Sequence, residues 1–290
     1  MKYLMNYFDF LNEGDIADLN RAKMYPYFRP DYSFLYYKNQ YLKIKDFFSD
    51  KPVIYLKNKE SSLLEYLKLI KNNYDELLSR TPVLSYGSNS SPIQLIKKFS
   101  SNQNCIIPII NVELLDFDTV YASSITSYGS HPATIQASAG TRLKGTICFL
   151  DKQLLNIMHK SESKGIAYNF IELNGNIKLN ELDNKNINLQ QSLKTYISAK
   201  KCLNINNNCA ALSTIKNENR KFIALTQEDA MKHTMELIKN ANIINEKIIF
   251  DFTDLDTFIL SNIRDKQLRL KRNKFLKENS IDYTFSYSIL

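Results

Sequence analysis

Between Cys105 and Leu150 the chain strings together four strand-like runs: Cys105 to Leu115, Thr119 to Ile125, Ala133 to Ser138 and Leu143 to Leu150. Gly129-Ser130-His131-Pro132 and Ala139-Gly140 punctuate them, so the stretch reads as consecutive strands divided by turns. Helical patterns lie on both sides. The layout predicts an α+β fold, a mostly antiparallel sheet or small β-barrel with flanking helices.

The flanks fill in that outline. Residues 1 to about 60 are rich in Tyr and Phe and read as a packed extension with little regular structure. Ser62-x-x-Glu65 is a capping-box pattern that opens a helix, with Leu63, Leu67, Ile70, Tyr74, Leu77 and Leu78 as its buried stripe to about Ser79. Asp151 caps a short helix through Leu154, Leu155 and Met158. Tyr168 to Leu173 returns as a strand, and Asn174-Gly175-Asn176 predicts a hairpin into Ile177 to Leu182. Asn184 to Asn188 reads as a loop, and Ser192 to Ala199 and Lys221 to Ala224 as strands. Thr226-x-x-Asp229 opens a further helix, and a last one runs from about Asp254 to Lys277. The expected organisation is an extension over 1–80 ending in a helix, a central domain over 81–245 and a basic helical extension over 246–290.

With 44% hydrophobic and 23% charged residues, the chain belongs with globular proteins. No run approaches the ~18 apolar residues of a membrane span. The N-terminus lacks an uninterrupted apolar segment with a cleavage site, so a cytoplasmic location is expected. Cys105, Cys148, Cys202 and Cys209 form no C-x-x-C pair and read as buried thiols. The net charge of +8 is spread along the chain, and the basic cluster from Arg264 to Lys274 reads as a solvated helix face. Nucleic acid is therefore an unlikely partner, and oligomeric state is not legible. His131, His159 and His233 lie far apart without ligand spacing, so neither metal nor cofactor is expected.

One short turn carries chemistry. Pro82 to Tyr86 reads as a strand, and Pro92, Ile93, Leu95, Ile96 and Phe99 recur at helical spacing after Ser91. Between them, Gly87-Ser88-Asn89 aims unpaired backbone N–H groups at one point, a receptor for a carboxylate, phosphate or developing oxyanion. Ser88 has no G-x-S-x-G context that would make it a nucleophile.

Farther on, Ala133-Thr134-Ile135, Gly140 and Gly145 precede a leucine-bearing helix and then Glu162 and Tyr168. With Tyr86-Gly87-Ser88-Asn89 upstream, this pattern resembles the gamma-glutamylcyclotransferase family over about residues 82–182, and more faintly to about 240. The chain departs from the family's pattern at four places: Ser90 replaces an apolar residue, Met158-His159 a Leu-Asp pair, Ser163 a glycine, and Asp229-Ala230 stand where many members carry a tyrosine.

The resemblance implies cyclisation of a small γ-glutamyl amide to 5-oxoproline, with release of an amine or amino acid. It makes Glu162 the general acid/base, with Tyr86, Gly87, Ser88, Asn89 and Tyr168 binding substrate. A carboxylic acid serves such a role best when its pKa lies near ~6–7. The departures leave a second class open, a non-catalytic module of the same fold that binds a small ligand or a protein.

Overall fold

The structure, a computed structural model, describes residues 14–102, 104–181, 186–241 and 254–290. The first strands are β1 (Phe34–Tyr37), β2 (Gln40–Asp46), β3 (Val53–Leu56), β4 (Lys59–Ser62) and β5 (Thr81–Ser85). Next come β6 (Ile106–Tyr121), β7 (Ala133–Leu150), β8 (Tyr168–Leu173), β9 (Leu179–Glu181) and β10 (Lys194–Ser198). Last are β11 (Asn204–Ile205), β12 (Asn208–Leu212), β13 (Ile223–Leu225) and β14 (Tyr287–Ile289). The early helices are α1 (Asp15–Lys23), α2 (Leu63–Leu69), α3 (Tyr74–Ser79), α4 (Pro92–Phe99) and α5 (Lys152–Ser161). Three more follow: α6 (Gln227–Asn240), α7 (Leu255–Arg264) and α8 (Lys266–Glu278). The expected α+β class, with a mostly antiparallel sheet, is the observed one.

Two compact units divide the chain. One holds the described residues within Met1–Phe28, Phe117–Thr141 and Ser198–Phe285; the other comprises Arg29–Asp116, Arg142–Ile197 and Ser286–Leu290. In the second, the strand order is β14-β8-β10-β5-β7-β6-β1-β2-β3-β4, with β9 paired to β6 off that path. β5 lies between β7, antiparallel with Ser85 opposite Thr146, and β10, parallel with Val83 opposite Lys194. Its core gathers Phe34, Tyr36, Leu95, Phe99, Ile107, Leu150 and Met158, all buried. The first unit has its own cluster of Val120, Cys202, Cys209 and Ala211. All four cysteines are free and buried, as expected. No helix among the described residues is long and apolar enough to cross a membrane.

The structure corrects several expectations. The four runs from Cys105 to Leu150 are two long strands, β6 and β7. Asp116 (φ 66°) and Gly140 (φ 78°) sit inside them in the left-handed region, so what reads as a break is a bend. Residues 34–62 are two hairpins, not irregular chain. Their two-residue loops, Lys38-Asn39 and Lys57-Asn58, have positive φ at both positions, the requirement of a type I′ turn. Lysine at the first position hides the usual Asn-Gly signal.

β8 makes no hairpin with the strand that follows it. β9 pairs with β6, Val112 opposite Glu181, while β8 pairs with β14. Leu182, expected at the end of that strand, and Asn184 and Lys185 of the expected Asn184–Asn188 loop lie outside the described residues. The helix expected to Ser79 breaks after Leu69, because the Asn73 side chain accepts from the N–H of Asp75 and Glu76 and recaps the chain. The last helix likewise divides at Asp265, which caps α8 through the Leu268 N–H. Its basic face is not wholly solvated either. Arg272 is buried, with its guanidinium over the Phe258 ring.

Candidate active site

β5 delivers the chain to the turn. Thr81 to Ser85 is an apolar, largely buried strand, and Gly87 leaves it for a single 3-10 turn over Ser88–Ser90 before Pro92 starts α4. Ser90, the polar departure, is fully buried and satisfied. Its hydroxyl donates to the Ser85 carbonyl at 3.0 Å and lies 2.9 Å from Thr146 Oγ1. Gly145, beside it on β7, leaves little room for a side chain. A Cβ there would stand 3.1 Å from Leu84 and 3.2 Å from the Ser85 oxygen. Strand and turn therefore close tightly, and among the described residues no acceptor takes the N–H of Gly87, Ser88 or Asn89.

Glu162 comes from the other side, as the residue that caps the C-terminus of α5. Asp151 starts that helix by accepting from the Leu154 N–H at 2.8 Å. Two crossed bonds end it: Lys164 N–H to His159 O at 3.0 Å and Ser163 N–H to Lys160 O at 3.2 Å. That is a Schellman motif, and it needs the residue after Glu162 in the left-handed region. Ser163 is there, at φ 47°. A serine in place of the family's glycine keeps the geometry at some cost in strain.

The carboxylate and the turn meet. Asn89 Nδ2 donates to Glu162 Oε1 at 3.1 Å. Lys98, in the last turn of α4, donates to the same oxygen and, at 2.5 Å, to Asn89 Oδ1. Its third contact is Met158 Sδ at 3.4 Å. The Lys98–Glu162 ion pair is mostly covered, with side-chain exposures of 10% and 12%. A carboxylate at a helix C-terminus faces the negative end of the macrodipole, and the lysine offsets that. Both donors land on Oε1, so among the described residues Glu162 Oε2 has none.

The other expected residues take varied places. Tyr86 is buried, and its hydroxyl donates to the Tyr196 carbonyl, which ties the turn to β10. Tyr168 opens β8, half-buried against the core. Tyr196 O–H lies 2.7 Å from His159 Nδ1. Burial, followed by the nearby Glu162 charge, pushes the Tyr196 phenol far above its ordinary pKa. Burial, followed by Lys164, lowers the His159 imidazole below its usual value. Asp229 lies in the first turn of α6, where its N–H donates at 3.1 Å to the hydroxyl of Thr226, the N-cap.

Lys98 is the residue that sequence reasoning missed. At the end of an amphipathic helix, Lys97-Lys98 reads as a solvated pair favourable to the dipole. A signal was present: Lys98 adjoins Phe99 and follows Leu95 by three positions, and both are fully buried. Among the described residues no group of His, Cys, Asp and Glu could hold a metal ion.

No protein-family model and no curated protein matches the chain. Solved structures do. One described as gamma-glutamyl cyclotransferase is 18% identical with a TM-score of 0.33, over 72% of this chain and 94% of its own. An uncharacterized protein from Homo sapiens is 16% identical with a TM-score of 0.31, over 72% and 93%. A gamma-glutamyl cyclotransferase specific to glutathione from yeast is 12% identical with a TM-score of 0.28, over 67% and 100%.

Proposed function

We propose that the protein cyclises a small γ-glutamyl amide to 5-oxoproline and releases an amine or amino acid. One observation carries the reading: a carboxylate is fixed at the Asn89 turn by two donors on one oxygen, and its second oxygen is uncommitted. The sequence resemblance over residues 82–182 supports it from a separate direction.

The chemistry follows from what such a carboxylate does. The substrate's α-nitrogen attacks its own γ-carbonyl, so no second reactant has to be captured, and good orientation is worth ~7–11 kcal/mol. Glu162 Oε2 takes a proton from the α-ammonium and frees the attacking lone pair. The carbonyl oxygen becomes an oxyanion, and the N–H groups of Gly87, Ser88 and Asn89 are the donors available for it, each worth roughly 3–4 kcal/mol if aimed there. The C–N bond then breaks as Glu162 gives its proton to the leaving nitrogen, and the ring nitrogen sheds its remaining extra proton. Tyr86 acts as a strut that fixes the turn, and Tyr168 forms a wall.

A panel of γ-glutamyl amides screened for 5-oxoproline by mass spectrometry tests this, with Glu162→Gln beside the wild type. Wild-type release, lost in a folded Glu162→Gln variant, is the expected result. Full activity in the variant removes Glu162 from the mechanism. An inert wild type that still binds a γ-glutamyl ligand makes the protein a binding module of the same fold.

A further inference from the structure

The proposed cyclisation moves two protons, not one. The α-ammonium begins with three N–H bonds and the lactam keeps one. The leaving nitrogen begins as an amide with one and departs as an ammonium with three. Glu162 has a single uncommitted oxygen and carries one proton at a time. The second needs a place to wait between attack and C–N cleavage.

Resting on that reading, the geometry points to the Tyr196–His159 pair as the second proton carrier of this site, with Tyr196 as the contact to substrate and His159 as the proton store behind it. Tyr196 O–H and His159 Nδ1 are 2.7 Å apart, a full hydrogen bond. The Tyr86 hydroxyl holds the Tyr196 backbone against the turn, and the Phe170 ring packs edge-on to the imidazole with centroids 4.7 Å apart. Tyr196 is 4% exposed, whereas His159 is half-buried. His159 lies in the last turn of α5, and Glu162 caps that helix three residues on with helical backbone, which brings the two to one side of its C-terminus. Among the described residues, His159 Nε2 has no partner.

The step balances without an outside reagent. Tyr196 oxygen accepts a proton from the attacking nitrogen as its own passes to His159 Nδ1, which makes an imidazolium. When the C–N bond breaks, the same protons run back, and the leaving nitrogen takes one from Tyr196. The store must start empty, so the imidazole must be neutral at rest. Burial and the Lys164 ammonium both favour that state. Glu162 and Lys98 are the other charged groups of the cluster, and their charges cancel as a pair. His159 stands where the family pattern carries an Asp, so this arrangement belongs to this chain.

His159→Asn keeps an acceptor near the place of Nδ1 but cannot store a proton. Its kcat should fall at least ten-fold with KM little changed, and the acid limb of the pH profile should lose one ionisation and keep that of Glu162. His159→Leu should fall as far. A purely structural histidine predicts rescue by asparagine with the acid limb intact, and that outcome overturns the proposal. A second measurement needs no turnover: ¹⁵N NMR titration of His159 in wild type, Glu162→Gln, Tyr196→Phe and the double variant. Glu162→Gln should change the His159 protonation constant at least three-fold, and Tyr196→Phe should abolish more than half of that effect. An effect of equal size in the phenylalanine background means direct charge alone, and the relay falls. If no γ-glutamyl amide yields 5-oxoproline, the cyclisation reading fails separately, and the titration still decides the pair.

Discussion

The Asn89 side-chain amide donates to Glu162 Oε1 at 3.1 Å, joining a turn after β5 to the end of α5 across 73 positions of sequence. Lys98 closes the triangle by contacting both residues. Removing the lysine strands a mostly covered carboxylate at the wrong end of a helix dipole. Lys98→Met should therefore cost about 3 kcal/mol in urea unfolding, and Lys98→Arg much less. Adding Glu162→Gln to Lys98→Met should recover at least ~1 kcal/mol. Strict additivity of the two losses would show that the pair is not coupled.

Ser163 holds a left-handed φ of 47° that glycine adopts without strain. A left-handed non-glycine residue costs ~1–2 kcal/mol, while glycine adds ~0.5–1 kcal/mol of unfolded-state entropy. Ser163→Gly should thus raise stability by about 0.5 kcal/mol and keep activity, whereas Ser163→Val should lower both. Scanning calorimetry with steady-state assays checks this. A lower Tm for the glycine variant contradicts it.

His131 sets an acid limit to stability. Its ring is fully buried between the Ser124 carbonyl, 2.8 Å from Nδ1, and Thr234 Oγ1, 2.7 Å from Nε2, an arrangement that fits neutral imidazole with Nδ1 protonated. Burial lowers its pKa to about 4, from 6.5. The folded state thus binds this proton less well than the unfolded chain. The contribution is whole above pH 6.5 and is lost as pH falls toward 4, by up to about 3 kcal/mol. In urea titrations at stepped pH, His131→Asn should start less stable and decline less over that window. Parallel declines would assign the acid loss to other groups.

Asp118 is fully buried and takes Arg220 through Nε at 3.0 Å and Nη2 at 3.1 Å, and the Asn217 amide at 2.7 Å. Asp118→Ala leaves the guanidinium uncompensated and should cost about 3–5 kcal/mol. Pairing Asp118→Leu with Arg220→Leu should cost less than either change alone. If the double variant is the worst of the three, the pair stabilises the fold beyond its desolvation penalty.

Local chemistry was legible where one side chain acts on its near neighbours. Ser62, Asp151 and Thr226 each accept from the backbone three residues on, as their patterns require. The departures from the family pattern became intelligible only through their surroundings. Ser90 is tolerated because Thr146 lies opposite, and Ser163 because the α5 terminus imposes its φ. Reading β8 as half of a hairpin failed because an Asn-Gly-Asn turn states that the chain reverses, without stating what the next strand will pair with.

Sequence alone determined the strand–turn–helix at Tyr86–Asn89 and the capped helix that ends at Glu162, since propensity and capping act within a few residues. Tertiary structure decided that the two meet, that Lys98 turns inward to pair with the carboxylate, and that His159 reaches Tyr196. Those facts depend on which strands flank β5 and where α5 packs. Such long-range choices come from burial summed over the core, which no single segment encodes.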